Sequence, residues 1–451
     1  MALRDGQSEL DTAVLRVEGL SFEIKTWDKC TIREDFVSPT AAFDFTLSTN
    51  DPTLYNQIFI AGAKIEIAIN DRLQSTGYIE RVRKSQNRGG GTTYQISGRD
   101  ILGPVVSASI DPKIKITSNQ TVADFLYSIL GQFGISTIYV GDDKNYNIVT
   151  GYPKGRGKAQ TQTFTVKEAT SRVVSSDGKS AEVQFSTSTV TQVISRNRPD
   201  LKTLPLDQLK PRIGEGAYQL IDRILSRLGL HCWAAADGSG VIVDAPDFST
   251  SPIHKVIRQF GGAANNVIDG ESTINAEIQP SCIVAVGHSS GADLGKTKLK
   301  VIAVNELVAV NSAGQPVKSA ANIIARYPGV RVLPIRQELV PKEDRIVSVF
   351  TQKPMFVKDD ESKTIDQLAA FCRRQLAMKQ KDYLVATYTV MGHTYDGRYP
   401  WAMNVLVDVD DDYLGIHEPL WCVERTFIKS RSEGTLTQLK LIKPYTLQLG
   451  V

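Results

Sequence analysis

Lys64-Ile-Glu-Ile-Ala-Ile69 places Ile65, Ile67 and Ile69 on one side of an extended chain and Lys64, Glu66 and Ala68 on the other. Side chains alternate faces along a strand, so a two-residue apolar period specifies a sheet that is wet on one face and buried on the other. The same period dominates from Val14 to Ile110. It predicts further strands at 14–18, 20–26, 29–36, 42–47, 77–84 and 93–97, punctuated by Asn50-Asp51-Pro52, Asn70-Asp71 and Arg88-Gly-Gly-Gly91. Short strands joined by polar turns imply an all-β barrel or sandwich as the first domain.

The period changes at Thr121. Val122, Phe125, Leu126, Ile129, Leu130 and Phe133 form one apolar helical stripe, Thr121 and Asp124 stand at capping-box spacing, and Gly134 is placed to end the helix. A second helix repeats the construction with Ala217, Leu220, Ile221, Ile224, Leu225 and Leu228, stopped by Gly229. Asp237-Gly-Ser-Gly240 then predicts a hairpin turn before a strand at 241–243. Between the helices, 151–211 is rich in Lys, Ser, Thr and Gln. The pairs Phe164/Val166 and Val183/Phe185 predict exposed strands on a polar insertion there. The last third is again mostly β, with strands expected at 281–287, 299–304, 346–350, 383–391, 405–409, 421–428 and 435–442. One helix interrupts it, opened by Thr364 with Gln367 and buried through Ile365, Leu368, Ala369, Cys372 and Leu376.

With 451 residues the chain has room for about three domains of ordinary size. The 52 Lys and Arg nearly balance 49 Asp and Glu, so a whole-molecule electrostatic footprint for nucleic acid or an anionic membrane is absent. Cys30, Cys232, Cys282, Cys372 and Cys422 are odd in number, with no CxxC pair, which argues against a disulfide framework or a zinc site. The opening MALRDGQSELDTAV carries charges where a signal peptide needs an apolar stretch, and no run approaches the ~20 apolar residues of a membrane-spanning helix. Synthesis and folding in a cytoplasm are expected.

Three segments invite chemistry. Gly287-His288-Ser289-Ser290-Gly291 fits G-x-S-x-G after the apolar run 282–286, as a nucleophile elbow would, with His393 and His417 downstream as bases. The elbow also needs a helix at once, whereas 292–301 alternates toward a strand, so a hairpin turn is expected. Asp408, Asp410 and Asp412 have the spacing of the first ligands of a calcium loop, but Tyr413 stands where Gly is needed and Pro419 where a bidentate Glu is needed. Gly151-Tyr-Pro-Lys-Gly-Arg-Gly-Lys158 is basic and glycine-rich, yet Tyr152 and Ala159 occupy the first-glycine and Ser/Thr positions of a phosphate loop. That run reads as a basic loop, with an acidic protein surface or DNA as a lesser alternative contact. His231, His254, His288, His393 and His417 form no ligand pattern. No catalytic, cofactor-binding or metal residue is therefore expected; the alternative is a serine hydrolase using Ser289.

The ordered β segments carry a resemblance. Val17-Glu-Gly-Leu-Ser-Phe-Glu-Ile-Lys-Thr-Trp27, Ala42-Phe-Asp-Phe-Thr-Leu47, Gly62-Ala-Lys-Ile-Glu-Ile67, Ser75-Thr-Gly-Tyr-Ile79 and Ile96-Ser-Gly-Arg-Asp100 together resemble the opening of Mu-like phage baseplate hub proteins, relatives of the late-control D proteins and of the base of type VI secretion spikes. The helix 121–135, Gly214-Glu215 with its following helix, Asp396-Gly397, Pro400-Trp401 and 434–439 agree in order, and 151–211 stands apart as an insertion.

The resemblance implies a mainly β fold with α+β insertions: two tail-tube-like β-barrel domains plus smaller α/β satellite domains. It divides the chain into a first barrel (1–112), a helix plus polar inserted β segment (113–210), an α/β satellite domain (211–280) and a second barrel with an inserted helix (281–451). It further implies a homotrimeric, non-enzymatic hub without cofactors, adapting a six-fold tail tube to a three-fold central spike in the virion. The implied partners are the tube protein, the spike, other baseplate wedge proteins and, transiently, passing DNA.

Overall fold

The computed structural model describes residues 11–447 apart from 19–22, 87–90, 112–120, 141–144, 148–151, 155–160, 175–180, 194–210, 247, 249–251, 263, 288–298, 342–352, 363 and 396–398. Alternation dictates its first part: β1 (Ala13–Val17), β2 (Glu23–Ile24), β3 (Lys29–Asp35), β4 (Ala42–Thr49), β5 (Lys64–Ile69), β6 (Arg72–Gln86) and β7 (Thr92–Asp100), with one short helix, α1 (Thr53–Ile58). Ile65, Ile67 and Ile69 of β5 are all buried, as their period requires. Asn70 and Asp71 both take positive φ, 48° and 62°, in the two-residue turn that joins β5 to β6. Such a turn matches the right-handed twist of its flanking strands, and Asn and Asp adopt that conformation more readily than other side-chain-bearing residues.

Helical periods take over next. α2 (Gly103–Ser107), α3 (Val122–Leu130) and, beyond the insertion, α4 (Ala217–Leu225) pack their stripes together with a small sheet. That sheet joins β8 (Ile138–Val140) to β13 (His231–Ala234) and β14 (Val241–Asp244) in the order β13-β14-β8, counting the insertion strands β9 (Asn145–Asn147), β10 (Tyr152–Lys154), β11 (Thr161–Val174) and β12 (Ala181–Val193) between them. Thr121 and Asp124 form the expected reciprocal cap on α3, a device worth about 1 kcal/mol. Gly134 and Gly229 both sit at φ 74° just past their helices, the left-handed position that favours glycine. In the insertion, β11 and β12 pair as one long antiparallel ladder, from Thr161↔Val193 to Val174↔Ala181.

β15 (His254–Arg258) and β16 (Val267–Ile274) follow, then an α/β layer: β17 (Cys282–Gly287), β18 (Leu299–Val304), α5 (Glu306–Ala309), α6 (Lys318–Ala325), β19 (Arg331–Val332), β20 (Pro354–Asp359) and α7 (Ile365–Gln380). Its sheet runs β19-β18-β17-β20. Leu368, Cys372 and Leu376 of α7 cover Ile283, Ala285, Val301 and Ala303 on one face, while Ile323 of α6 covers Cys282, Val284 and Ile302 on the other. The chain closes with β21 (Leu384–Met391), β22 (Thr394–Tyr395), β23 (Tyr399–Pro400), β24 (Val405–Asp411), β25 (Pro419–Ser430) and β26 (Gly434–Ile442).

The organising element is a 13-stranded sheet that joins both ends of the chain. Its path is β16-β21-β26-β25-β3-β4-β7-β6-β5-β1-β2, with β24 paired to β25 and β15 to β24. Seven strands come from the first domain and six from residues 254–442. They meet along β3 and β25, where Glu34 faces Arg425 and Ile32 faces Phe427. One apolar core, including Leu15, Ile32, Phe45, Ile67, Tyr388, Phe427 and Leu439, runs behind both halves. In the second half, β15 and β16 do not form a ladder; Asn266 bridges them. Its backbone N–H donates to Ile257 O (3.1 Å), its side-chain amide donates to Lys255 O (2.8 Å), and its Oδ1 accepts from Ile257 N (2.9 Å).

The mainly β fold with α+β insertions is as the sequence implies. Strand membership cuts across the expected segments: β15 and β16, from 211–280, join the large sheet, whereas β17 to β20 form their own. Apolar alternation marks a residue as half-buried in a sheet and is silent on which sheet. The strand expected at 346–350 lies outside the described residues.

Candidate functional site

The residues singled out for chemistry are scattered. Ser289 and His288 lie outside the described residues, but β17 ends at Gly287 opposite Leu299, the first residue of the antiparallel strand β18. The described element after the motif is thus a returning strand. His393 is fully buried at the end of β21, edge-on to the Phe427 ring at 5.0 Å, and burial lowers its pKa to about 4. His417 is exposed in the turn between β24 and β25, with Nδ1 2.8 Å from Asp410 Oδ1. Gly287 belongs to the four-stranded sheet and both histidines to the surroundings of the large one, so the described residues assemble no Ser-His pair.

The aspartates are engaged by protein donors. Lys255 Nζ lies 3.0 Å from Asp408 Oδ2, Gln259 donates to Asp410, and Phe260 N donates to Asp412 Oδ2 at 2.8 Å. Asp410, Asp412 and His417 do converge closely enough to share a cation. Every donor just named comes from β15 or the turn after it, so the carboxylates also fix that turn against β24. Of the basic run 151–158, the described part is β10, which pairs with β9. His254 accepts a hydrogen bond from Ala402 N at Nε2 (3.0 Å), and burial, with Arg425 nearby, lowers its pKa to about 3. His231 is lowered to about 4 by burial. Both are neutral structural groups at pH 7. The five cysteines are free buried thiols.

What the fold does bring together is a set of ionic joints between its layers. Glu306, fully buried at the start of α5, accepts from Arg336 Nε (3.1 Å), Arg373 Nη1 (3.0 Å) and Gln380 Nε2 (2.8 Å). Burial alone would raise its pKa, but the two guanidiniums outweigh it and hold the carboxyl below its usual range. Arg336 also donates to Tyr445 O (2.9 Å), so the joint ties the α/β layer to the end of the large sheet.

A second joint holds the helical satellite. Glu361, after β20, accepts from Arg212 (2.5 Å), Arg223 (2.7 Å) and Arg227 (2.7 Å), lowering its pKa against the cost of burial. Arg223 also donates to Glu215 Oε2 (2.9 Å). A third lies in the sheet itself, where Arg425 donates to Glu34 across the β3–β25 seam and to Trp401 O. None of these pairs was flagged from sequence, because Glu306 and Arg373 are 67 residues apart and Glu34 and Arg425 are 391 apart.

The face of the large sheet opposite its core is apolar where Leu406, Trp421 and Ile442 are buried in a second cluster, and polar near the junction of the two halves. Across the junction of the two halves it carries Lys29, Thr31 and Arg33 on β3, Glu424 on β25 and Gln438 on β26. Arg33 and Glu424 pair at 2.6 Å, and Gln95 donates to Asp44 at 3.1 Å. These geometries organise a scaffold and present a polar patch at the junction of its two halves.

Residues 12–100, β1 to β7 entire, match the family model described as Mu phage baseplate assembly protein GpP-like, N-terminal. The whole fold is similar to that of the tail protein from Neisseria meningitidis MC58, at TM-score 0.63 and 20% identity, covering 98% of this chain and 100% of that one. It is also similar to the 43 kDa tail protein of prophage MuSo2 from Shewanella oneidensis, at TM-score 0.62 and 16% identity, covering 97% and 99%. No curated protein matches the sequence. The likeness to tail proteins therefore extends beyond the matched N-terminal domain through the satellite layers to the last strands. Among the described residues, no helix is long and apolar enough to cross a membrane.

Proposed function

We propose that this chain is a structural hub of a phage tail baseplate, a homotrimer that adapts a six-fold tail tube to a three-fold central spike. The observation that carries the proposal is the 13-stranded sheet. It fuses a GpP-like N-terminal domain edge to edge with a second set of six strands, antiparallel except for the parallel pair β15–β24. Two tube-like units per chain and three chains per ring offer six similar units to a hexameric tube, and three-fold features to a spike. Closed rotational symmetry lets one modest interface serve every subunit.

In this reading the segments 1–112 and 281–451, the latter completed by β15 and β16, carry the two tube-like units, and the helical and α/β layers meet the other baseplate wedge proteins. The protein resides in the virion tail after synthesis in the bacterial host's cytoplasm. It surrounds DNA in transit during ejection without gripping it, in keeping with 52 basic against 49 acidic residues. It performs no catalysis and needs no cofactor. Light-scattering mass measurement of the purified chain tests the proposal: the expected mass is three times the 49.5 kDa of one chain, and a species of one chain at every concentration contradicts it.

A further inference from the structure

Two strand edges of the large sheet, among those left unpaired by the described residues, carry opposite charge. β6 is paired on both sides only as far as Ile79: β5 reaches it through Lys64↔Tyr78, and Ile79 exchanges backbone bonds with Gly62 and Ala63. From residue 80 to 86 it is laddered to β7 alone. Arg81 and Arg83 on that free half are exposed, and among the described residues neither has an ion-pair partner. At the other extreme, β16 is laddered only to β21 among the described residues, with Asn266 just before it bonded to β15. Asp269 and Glu271 on it are exposed and equally unpaired among the described residues.

Ladder register puts both sets on the same face of the sheet. Asp269 lies in a row with Thr389, Gln438, Thr426 and Arg33. Arg81 connects through Ser97 and Asp44 to Thr31, two residues from Arg33 on β3, and so projects from the same side. Between the two ends the charges neutralise one another, as in Arg33–Glu424 (2.6 Å) and Lys440–Glu424 (3.9 Å). Each end also shows aliphatic surface: Ile60 is 57% exposed on the segment leading into the strand beside β6, and Ile268 and Ile274 are 52% and 63% exposed on β16.

We propose that copies of this chain join head to tail, the free half of β6 with Arg81 and Arg83 seating against β16 with Asp269 and Glu271 of the next copy. The occupant is a second copy because one molecule carries both complementary edges on one face of one sheet, and a heterologous contact of that kind closes into a ring when its rotation permits. The contact would cover both of these edges and bring their opposite charges together from copy to copy. Charges on a free edge can also serve only to keep it from pairing, and the experiment separates the two roles.

This inference rests on the trimeric reading above. The test uses the full chain and four forms: wild type, R81E/R83E, D269K/E271K, and all four substitutions together, with mass followed by analytical ultracentrifugation and folding checked by circular dichroism. The expected result is a trimer for wild type, loss of the trimer to monomer in each one-sided reversal with the spectrum unchanged, and its recovery when both edges are reversed. A trimer that persists through both one-sided reversals overturns the proposed interface while the trimer stands. A wild type that is monomeric at all concentrations overturns the trimeric reading, and the interface with it. Loss of the trimer without recovery in the quadruple form also overturns the pairing of these two edges.

Discussion

The joint at Glu306 and the joint at Glu361 use the same chemistry in different surroundings. Glu306 and Arg373 are buried, with side-chain exposures of 0% and 2%. Glu361 is 23% exposed, and its partner Arg212 is 66% exposed. In the first, water cannot replace a missing partner, so the α/β layer is locked to the end of the large sheet. In the second, water reaches Glu361 and Arg212, while Arg223 and Arg227 are 13% and 14% exposed, so the helical satellite is held by a contact less shielded than the first. Under the proposed function, such a gradient of rigidity would let the ring stay closed while its periphery meets other proteins.

The comparison can be broken most strongly at Glu306. Glu306→Ala leaves Arg336 and Arg373 facing a buried gap, and removing one partner of such a set costs about 3–5 kcal/mol. Urea denaturation should show that loss in the global transition. Glu361→Gln keeps the shape and removes the charge that three arginines share, for an expected cost of about 1–2 kcal/mol. Hydrogen exchange should place this loss in α4, leaving the large sheet's protection unchanged. Equal effects of the two substitutions on the global transition would erase the distinction between the joints.

Acid should act in the same direction on both. Their carboxyls have lowered pKa values when folded, so the unfolded chain takes up protons first. The stabilisation is fully present above the unfolded carboxylate value of about 4.3 and is lost as pH falls through the folded values. His254 adds an earlier slope, since its folded pKa of about 3 lies below the unfolded value of about 6.5, and its contribution fades as pH falls between them. His254→Gln, which keeps an acceptor for Ala402 N and cannot protonate, should flatten the decline in denaturation midpoint from pH 7 to pH 5. The smallest effect is expected at Asp408→Asn. Its partner Lys255 is solvent-exposed enough that the change should cost under about 0.5 kcal/mol, so thermal midpoints of mutant and wild type should nearly coincide.

The strand pattern was readable because period-two alternation is a local signal: β5, β17 and β26 lie within a residue of where their sequences put them. The caps at Thr121 and Thr364 were readable for the same reason, each being a contact across three residues. α1 escaped because six residues with Ile58 as the one buried side chain carry no helical stripe, and Asn50-Asp51-Pro52 before it reads as a turn. α6 and β20 were likewise not read. The joints escaped because nothing in the neighbourhood of Glu306 indicates that Arg336, Arg373 and Gln380 will surround it. The same limit hid the fusion of the two halves, since β3 and β25 meet only when the ends of the chain are folded together. The resemblance to baseplate hubs adds an expectation that local periods do not carry, that the first and last thirds hold the same kind of unit.

Electron microscopy of the purified full chain tests the central claim most directly. Averaged end-on views should show a three-fold ring with six lobes around a central opening, two lobes from each chain. Single-chain particles, or a closed assembly whose symmetry is not three-fold, would contradict it.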